Sequence, residues 1–282
     1  MTTVHCLRCG YDLSGLDHRA LCPECTLPVA RSHAGDLLRY ADQGYLSSLR
    51  IGLTILAITS GAQALLSGFS CAAGVIPPLT GANVWNSTTV VVWAVLWTAL
   101  VLAEAGATLL VARGDPGQLT SSRASGLRVS LVIATALLAT LQVASAVVGQ
   151  ARAAPPGLGA ILGPCTQAVH MVFMILLVRY LMWIARRVPS EGLASSLMAV
   201  LVFALVVSGL SLVGQIVIQA VIQFGNPTGG FWRAYPWFTT PVAIMRAGVM
   251  VWGAVVFVRL SRAIAQQAAA GRAEQPPGPL PG

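Results

Sequence analysis

Six apolar runs, each near the roughly 20 residues that a helix needs to cross a bilayer, dominate this sequence. They cover approximately 51–73, 89–112, 129–149, 160–181, 195–222 and 238–259. Hydrocarbon offers no water to backbone N–H and C=O groups, so each run must close its own hydrogen bonds as a helix. Of 282 residues, 56% are hydrophobic and 9% charged, against about 25% charged in a soluble domain. A surface with so few charges requires lipid around it. The fold class expected is an all-α membrane protein, a six-helix transmembrane bundle whose first partner is the lipid bilayer.

Around the bundle the chain divides further. Residues 1–30 form a compact cysteine-rich head, and 31–49 a linker ending in a juxtamembrane amphipathic helix. The transmembrane domain covers 50–262, and 263–282 read as a disordered tail of Ala, Gln, Pro and Gly. In the linker, Asp36 can cap a short surface-lying helix whose apolar contacts are Leu37, Leu38, Tyr40, Tyr45, Leu46 and Leu49, with Gly44 as a break. Pro77-Pro78, Asp115-Pro116-Gly117, Pro155-Pro156-Gly157, Pro189 and Asn226-Pro227 punctuate the connections. A faint repeat links Val148-Gly149-Gln150 to Val213-Gly214-Gln215. The polar N-terminus does not read as a signal peptide, so the first apolar run is expected to act as an uncleaved insertion signal.

Arginine placement sets the expected orientation. All seventeen basic residues are Arg. Fourteen lie on the side of the termini: Arg8, Arg19, Arg31, Arg39, Arg50, Arg113, Arg123, Arg128, Arg179, Arg186, Arg187, Arg259, Arg262 and Arg272. Only Arg152 and Arg233 lie opposite, and Arg246 falls inside a span. Both termini are therefore expected in the cytosol. Trp85, Trp232, Tyr235 and Trp237 sit at outer helix ends, where aromatic belts occur.

The strongest motif precedes the membrane. Cys6-Leu7-Arg8-Cys9-Gly10 and Cys22-Pro23-Glu24-Cys25 are two C-x2-C knuckles separated by twelve residues. Each tight turn supplies two thiolates, and four make the tetrahedral shell of a structural zinc site. A reducing cytosol disfavours the alternative of two disulfides. Cys6, Cys9, Cys22 and Cys25 are thus the expected metal ligands and zinc the cofactor. His5 and His18 are nearby but not needed. Four protein ligands leave no open position, so the site reads as structural rather than catalytic. Arg8 and Arg19 are outweighed by Asp12, Asp17, Glu24 and the thiolates, which argues against nucleic acid as a partner.

The run Cys6-Leu7-Arg8-Cys9-Gly10-Tyr11-Asp12-Leu13-Ser14-Gly15-Leu16, followed by Cys22-Pro23-Glu24-Cys25, resembles the N-terminal zinc ribbon of a group of uncharacterised bacterial multi-pass membrane proteins. Gly35-Asp36-Leu37-Leu38-Arg39-Tyr40-Ala41-Asp42 resembles the juxtamembrane stretch of the same group. The likeness covers about the first fifty residues and implies architecture and location, with no activity attached. One departure stands out. The group has Gly after the last cysteine, where this chain has Thr26, at a position that favours φ > 0.

Ionisable side chains within the spans are costly and so are functional candidates. They are Glu104, His170 and Arg246, joined by Gln63, Gln142, Gln215, Gln219 and Gln223. Two readings apply: hydrogen bonds that tie helices together, or a path for a proton or solute. Glu104 and Arg246 are expected to face one another inside the bundle, with Arg179 competing for the carboxylate. Intramembrane proteolysis is disfavoured, because Gly209-Leu210-Ser211 meets Val213 where a serine nucleophile motif needs Gly. H-E-x-x-H and paired intramembrane aspartates are also missing from the sequence. A bridge between Cys71 and Cys165 is weighed against two small apolar thiols. The expected function is that of a non-enzymatic membrane protein whose ribbon is a structural and interaction module for a protein partner or a second copy. The alternative is a small-solute or ion transporter or channel using Glu104 and Arg246.

Overall fold

The computed structural model describes residues 4–6, 9–17, 19–26, 28–29, 32, 38, 41–80, 87–114, 122–150, 158–188, 192–224 and 229–274. Within them lie six long helices: α1 (Gln43–Thr80), α2 (Ser87–Val111), α3 (Ser122–Gln150), α4 (Leu158–Ala185), α5 (Leu193–Phe224) and α6 (Gly229–Glu274). All six are long and apolar enough to cross a membrane. Each helix packs on the next in sequence, and α6 returns to α1 in the most extensive contact of all, so the six form a closed ring.

The ring begins earlier than the sequence suggested. Asp42 starts α1: its Oδ2 accepts the Tyr45 backbone N–H at 2.9 Å and its carbonyl accepts that of Leu46 at 3.0 Å. This is N-cap geometry. Gly44 therefore lies in the first helical turn and breaks nothing. Tyr45, Leu46 and Leu49, expected on a membrane-surface helix, are buried in the bundle core instead. Leu38 joins them, held by its N–H to the Arg187 carbonyl at 3.1 Å. The reason is periodicity: 46, 49, 53 and 56 continue one apolar stripe, so capped helix and stripe run on together. Asp36, Leu37 and Tyr40 lie outside the described residues, as do Trp85, His18, the side chains of Trp232, Tyr235 and Trp237, and residues 275–282.

Two further boundaries move. α1 passes through Pro77 and Pro78, which the sequence placed in a connection, but its membrane-length segment is Gln43–Phe69. Beyond that segment water can meet the carbonyls that proline frees. α6 continues past residue 263, where a tail was expected, to Glu274. The run Ala263-Ile264-Ala265-Gln266-Gln267-Ala268 is made of strong helix formers, and Ile264 and Ala268 bury in the core.

The interior is divided along its length. At the end bearing both termini it is mostly apolar, with Ser48 and Arg187 also buried: Leu46, Leu49, Leu53 and Leu56 of α1 meet Leu177, Leu181 and Ile184 of α4, Leu197 of α5, and Leu260 and Ile264 of α6. In the other half the same inner stripes carry Thr59, Gln63 and Ser67 of α1 and Thr166 and Gln167 of α4, all buried. Leucine against leucine gains little over leucine against lipid, so close packing must hold such helices together. The tightest approach is at Gly52, where a Cβ would sit 2.8 Å from the Ala107 carbonyl oxygen and 2.7 Å from Val111 Cγ2.

Gly52→Ala should consequently lower the melting temperature in detergent, by an amount in the range of about 1–3 kcal/mol typical of overpacking. Gly61→Ala, at a site with no atom within 4 Å of the new methyl group, should be neutral or stabilising. Equal melting temperatures for the two variants would contradict this packing.

Candidate functional site

Two clusters of functional side chains stand apart in the fold. The first is the N-terminal head, built from two copies of one turn offset by sixteen residues. An isolated antiparallel bridge joins His5 to Asp12, and another joins Leu21 to Pro28. Leu13 N–H donates to the Val4 carbonyl at 2.8 Å, as Val29 N–H does to Ala20 at 2.9 Å. Gly10 N–H reaches the Cys6 carbonyl at 2.9 Å, as Thr26 N–H reaches Cys22 at 2.8 Å. Leu13 and Val29 are fully buried beneath the two turns and form, with Cys6 and Cys22, the head's small core. Among the described residues these bridges form no extended strand, so the β-hairpin knuckles expected from sequence reduce to single paired positions.

The two turns bring their thiols together. Cys6 Sγ lies 3.5 Å from Cys25 Sγ and Cys9 Sγ 3.6 Å from Cys22 Sγ, with all four within 4.8 Å of one another. Tetrahedral coordination with metal–sulfur bonds of about 2.3 Å places sulfurs about 3.8 Å apart, so the four can hold one metal ion. The Tyr11 backbone hydrogen bond pulls the Cys9 thiol pKa down. Desolvation and the neighbouring Cys22, Cys25 and Cys6 thiols outweigh it and push the value up to about 12. Four sulfurs this close shed their protons only against a cation, so metal affinity must fall as pH falls. A core of four residues is too small to hold the head folded by itself, and a structural metal supplies about 10–16 kcal/mol in comparable peptides.

The sixteen-residue offset also explains Thr26. Gly10 has φ 75° and its counterpart Thr26 has φ 58°. A β-branched residue is strained in this left-handed region. Its hydroxyl, donating to the Cys25 carbonyl at 2.7 Å, offsets part of that cost.

The second cluster lies where the bundle interior turns polar. Glu104 of α2, His170 of α4 and Arg246 of α6 line one cavity of about 60 Å³ together with Gln63 and Ser208. With Gln142 and Trp97 they also line an adjoining space of about 20 Å³. Helical spacing accounts for the convergence: Arg246 precedes the buried Gly253 and Leu260 by seven and fourteen residues, Glu104 precedes Thr108 and Val111, and His170 precedes Phe173 and Leu177. The Gln63 side-chain N–H donates to Glu104 Oε2 at 2.8 Å. Arg246 lies over the Trp97 ring, 5.7 Å from its centroid. Glu104 and Arg246 share the cavity, but among the described residues no ion pair joins them. Arg179 is exposed on the outer side of α4, turned from Glu104.

Cys165 is a free, exposed thiol, so the bridge to Cys71 is not made; the Cys71 side chain lies outside the described residues. Gln63 as the partner of Glu104 was legible only as one of several intramembrane glutamines. No protein-family profile, curated protein or solved structure matches the chain.

Elemental analysis of chelator-free protein should find one metal ion per chain, and Cys22→Ser should remove it. Chelation should expose residues 1–30 to protease while leaving the bundle helical. Thr26→Gly should slow metal loss to a chelator about fivefold, the equivalent of about 1 kcal/mol of relieved backbone strain. Metal retained by Cys22→Ser, or faster loss from Thr26→Gly, would refute this geometry.

Proposed function

We propose that this protein is a small-solute or ion transporter or channel of the bacterial inner membrane, and that its head is a structural zinc ribbon on the cytosolic side. The observation that carries the reading is the convergence of Glu104, His170 and Arg246 on one cavity, which runs from the polar half of the bundle to Leu177 and Leu197 at the edge of the leucine core. Each is costly in lipid. The leucine-packed half then acts as the closed gate, and the polar half as the part open to solute.

The arginine count supports a cytosolic placement of both termini. Zinc is the metal best suited to four closed thiolates. The head's resemblance to the ribbons of bacterial multi-pass membrane proteins fits the same placement. Four protein ligands leave no position for a substrate on the metal, so the reading is non-enzymatic.

A second reading makes the ribbon the working part, docking a cytosolic protein or a second copy of the chain. Tyr11 and Leu21 favour it, being 41% and 57% exposed on a head with almost no core.

Two experiments test the proposal. Reporter fusions after Arg128 and Arg187 should read cytosolic, and fusions near Pro156 and Gly229 should read outside; a reversal at any site breaks the orientation. Proteoliposomes on a solid-supported membrane, challenged with small ions and solutes in turn, should give charge movement or flux that Glu104→Gln and Arg246→Gln each reduce at least tenfold. Currents no different from those of empty vesicles across the panel would leave the ribbon reading in its place.

A further inference from the structure

The charge pattern of the inner cavity is unusual for a structural ion pair. Arg246 carries five N–H donors, yet its contact among the described residues is the face of Trp97. The Glu104 carboxylate is held by Gln63. Two opposite charges thus line one cavity from α2 and α6 without touching each other. In a low-dielectric interior such a pair gains strongly from direct contact, so a gap between them is a place for something that meets both.

A third space adjoins on the side away from the leucine core. It measures about 390 Å³ and is lined by Trp93, Trp97, Thr98, Gln142, Ser145 and Arg246. It is an open groove rather than an enclosed pocket, and Glu104 is not part of its lining. It shares Trp97, Gln142 and Arg246 with the inner cavity, so a solute in it reaches the arginine first and Glu104 only through the inner space. Trp93 and Trp97 stack at 6.4 Å, and Phe69 extends the wall at 5.7 Å from Trp93. Thr98, Gln142 and Ser145 share this lining with Trp93 and Trp97, a mixture that suits a solute with a short apolar body between polar ends.

From these positions we propose that the cavity binds a small zwitterion, a compound carrying one carboxylate and one ammonium group. The carboxylate takes the fork of the Arg246 guanidinium, and the ammonium lies against Glu104. Charge balance selects this class. A simple anion would place two negative charges around one fixed cation, and a simple cation would leave Arg246 bare in hydrocarbon. A zwitterion satisfies both side chains and adds no net charge to the membrane interior. The inference rests on the transport reading and names the class of its substrate.

The test uses the full chain in detergent. The probes are glycine, β-alanine and 4-aminobutyrate as zwitterions, with butyrate and butylamine as single-charge controls. Melting temperature and tryptophan fluorescence are followed, since Trp97 lies at the site. At least one zwitterion should raise the melting temperature saturably and change the fluorescence, with an apparent affinity at least tenfold above either control. Arg246→Gln and Glu104→Gln should each abolish the shift. Where a variant fails to fold, the wild-type ranking of the five probes still decides. Butyrate binding as tightly as the best zwitterion would overturn the inference in favour of an anion site, and butylamine doing so in favour of a cation site. No response to any probe would overturn it in favour of a pair bridged by water. Ion flux in proteoliposomes without zwitterion binding would sink this inference and leave the transport reading standing. Loss of all flux alongside retained zwitterion binding would do the reverse.

Discussion

Hydrocarbon solvates neither a bare peptide group nor an ionised side chain, and the whole structure follows from how the chain meets that constraint. Backbone groups are met by six continuous helices. Ionisable side chains are met by turning three of them inward, where Glu104 finds Gln63 and Arg246 finds the face of Trp97. The ring closed by α6 on α1 encloses these groups. Without closure one flank of the cluster would face lipid, so the packing at Gly52 and along the leucine core serves the polar half as much as its own.

The two halves of the interior do different work. Leucines fill most of the interior at the terminus-bearing end, where Ser48 and Arg187 are the buried polar residues among those described. In the other half, Thr59, Gln63, Ser67, Thr166 and Gln167 occupy the same inner stripes. The Gln215 side-chain oxygen is buried there without a hydrogen-bond partner among the described residues, a state that proteins rarely leave uncompensated. A bundle held only for stability would gain more from apolar residues at these positions. The head obeys a separate rule, with four thiols placed to hold a metal ion over a core of four buried residues.

Much of this was legible in the sequence, because bilayer thickness fixes helix length. The six spans and the four thiols followed from run length and knuckle spacing. The strain at Thr26 followed from its place after a cysteine knuckle. What escaped was local. Asp42 caps α1, where the sequence pointed only to Asp36 as a cap, and the stripe from Leu46 to Leu56 shows which start leads into the core. The Ala-rich extension of α6 looked like a tail because composition alone does not separate a polar helix from coil. Two opposite charges in the spans made Glu104 and Arg246 natural partners, but the sequence does not reveal that Gln63 rather than Arg246 holds the carboxylate. That depends on how α1 and α2 are rotated, which the tight crossing at Gly52 decides.

The central claim is that one half of the interior is open to polar solute and the other sealed. Single cysteines placed at Ser67, Ser208, Leu53 and Leu181, in a background with Cys71 and Cys165 replaced by serine, test it with a membrane-impermeant thiol reagent. The account predicts labelling of Ser67→Cys and Ser208→Cys from the face opposite the termini, with Leu53→Cys and Leu181→Cys inert from both faces. Labelling of the leucine positions as fast as the serine positions, or no labelling at any of the four, would contradict it.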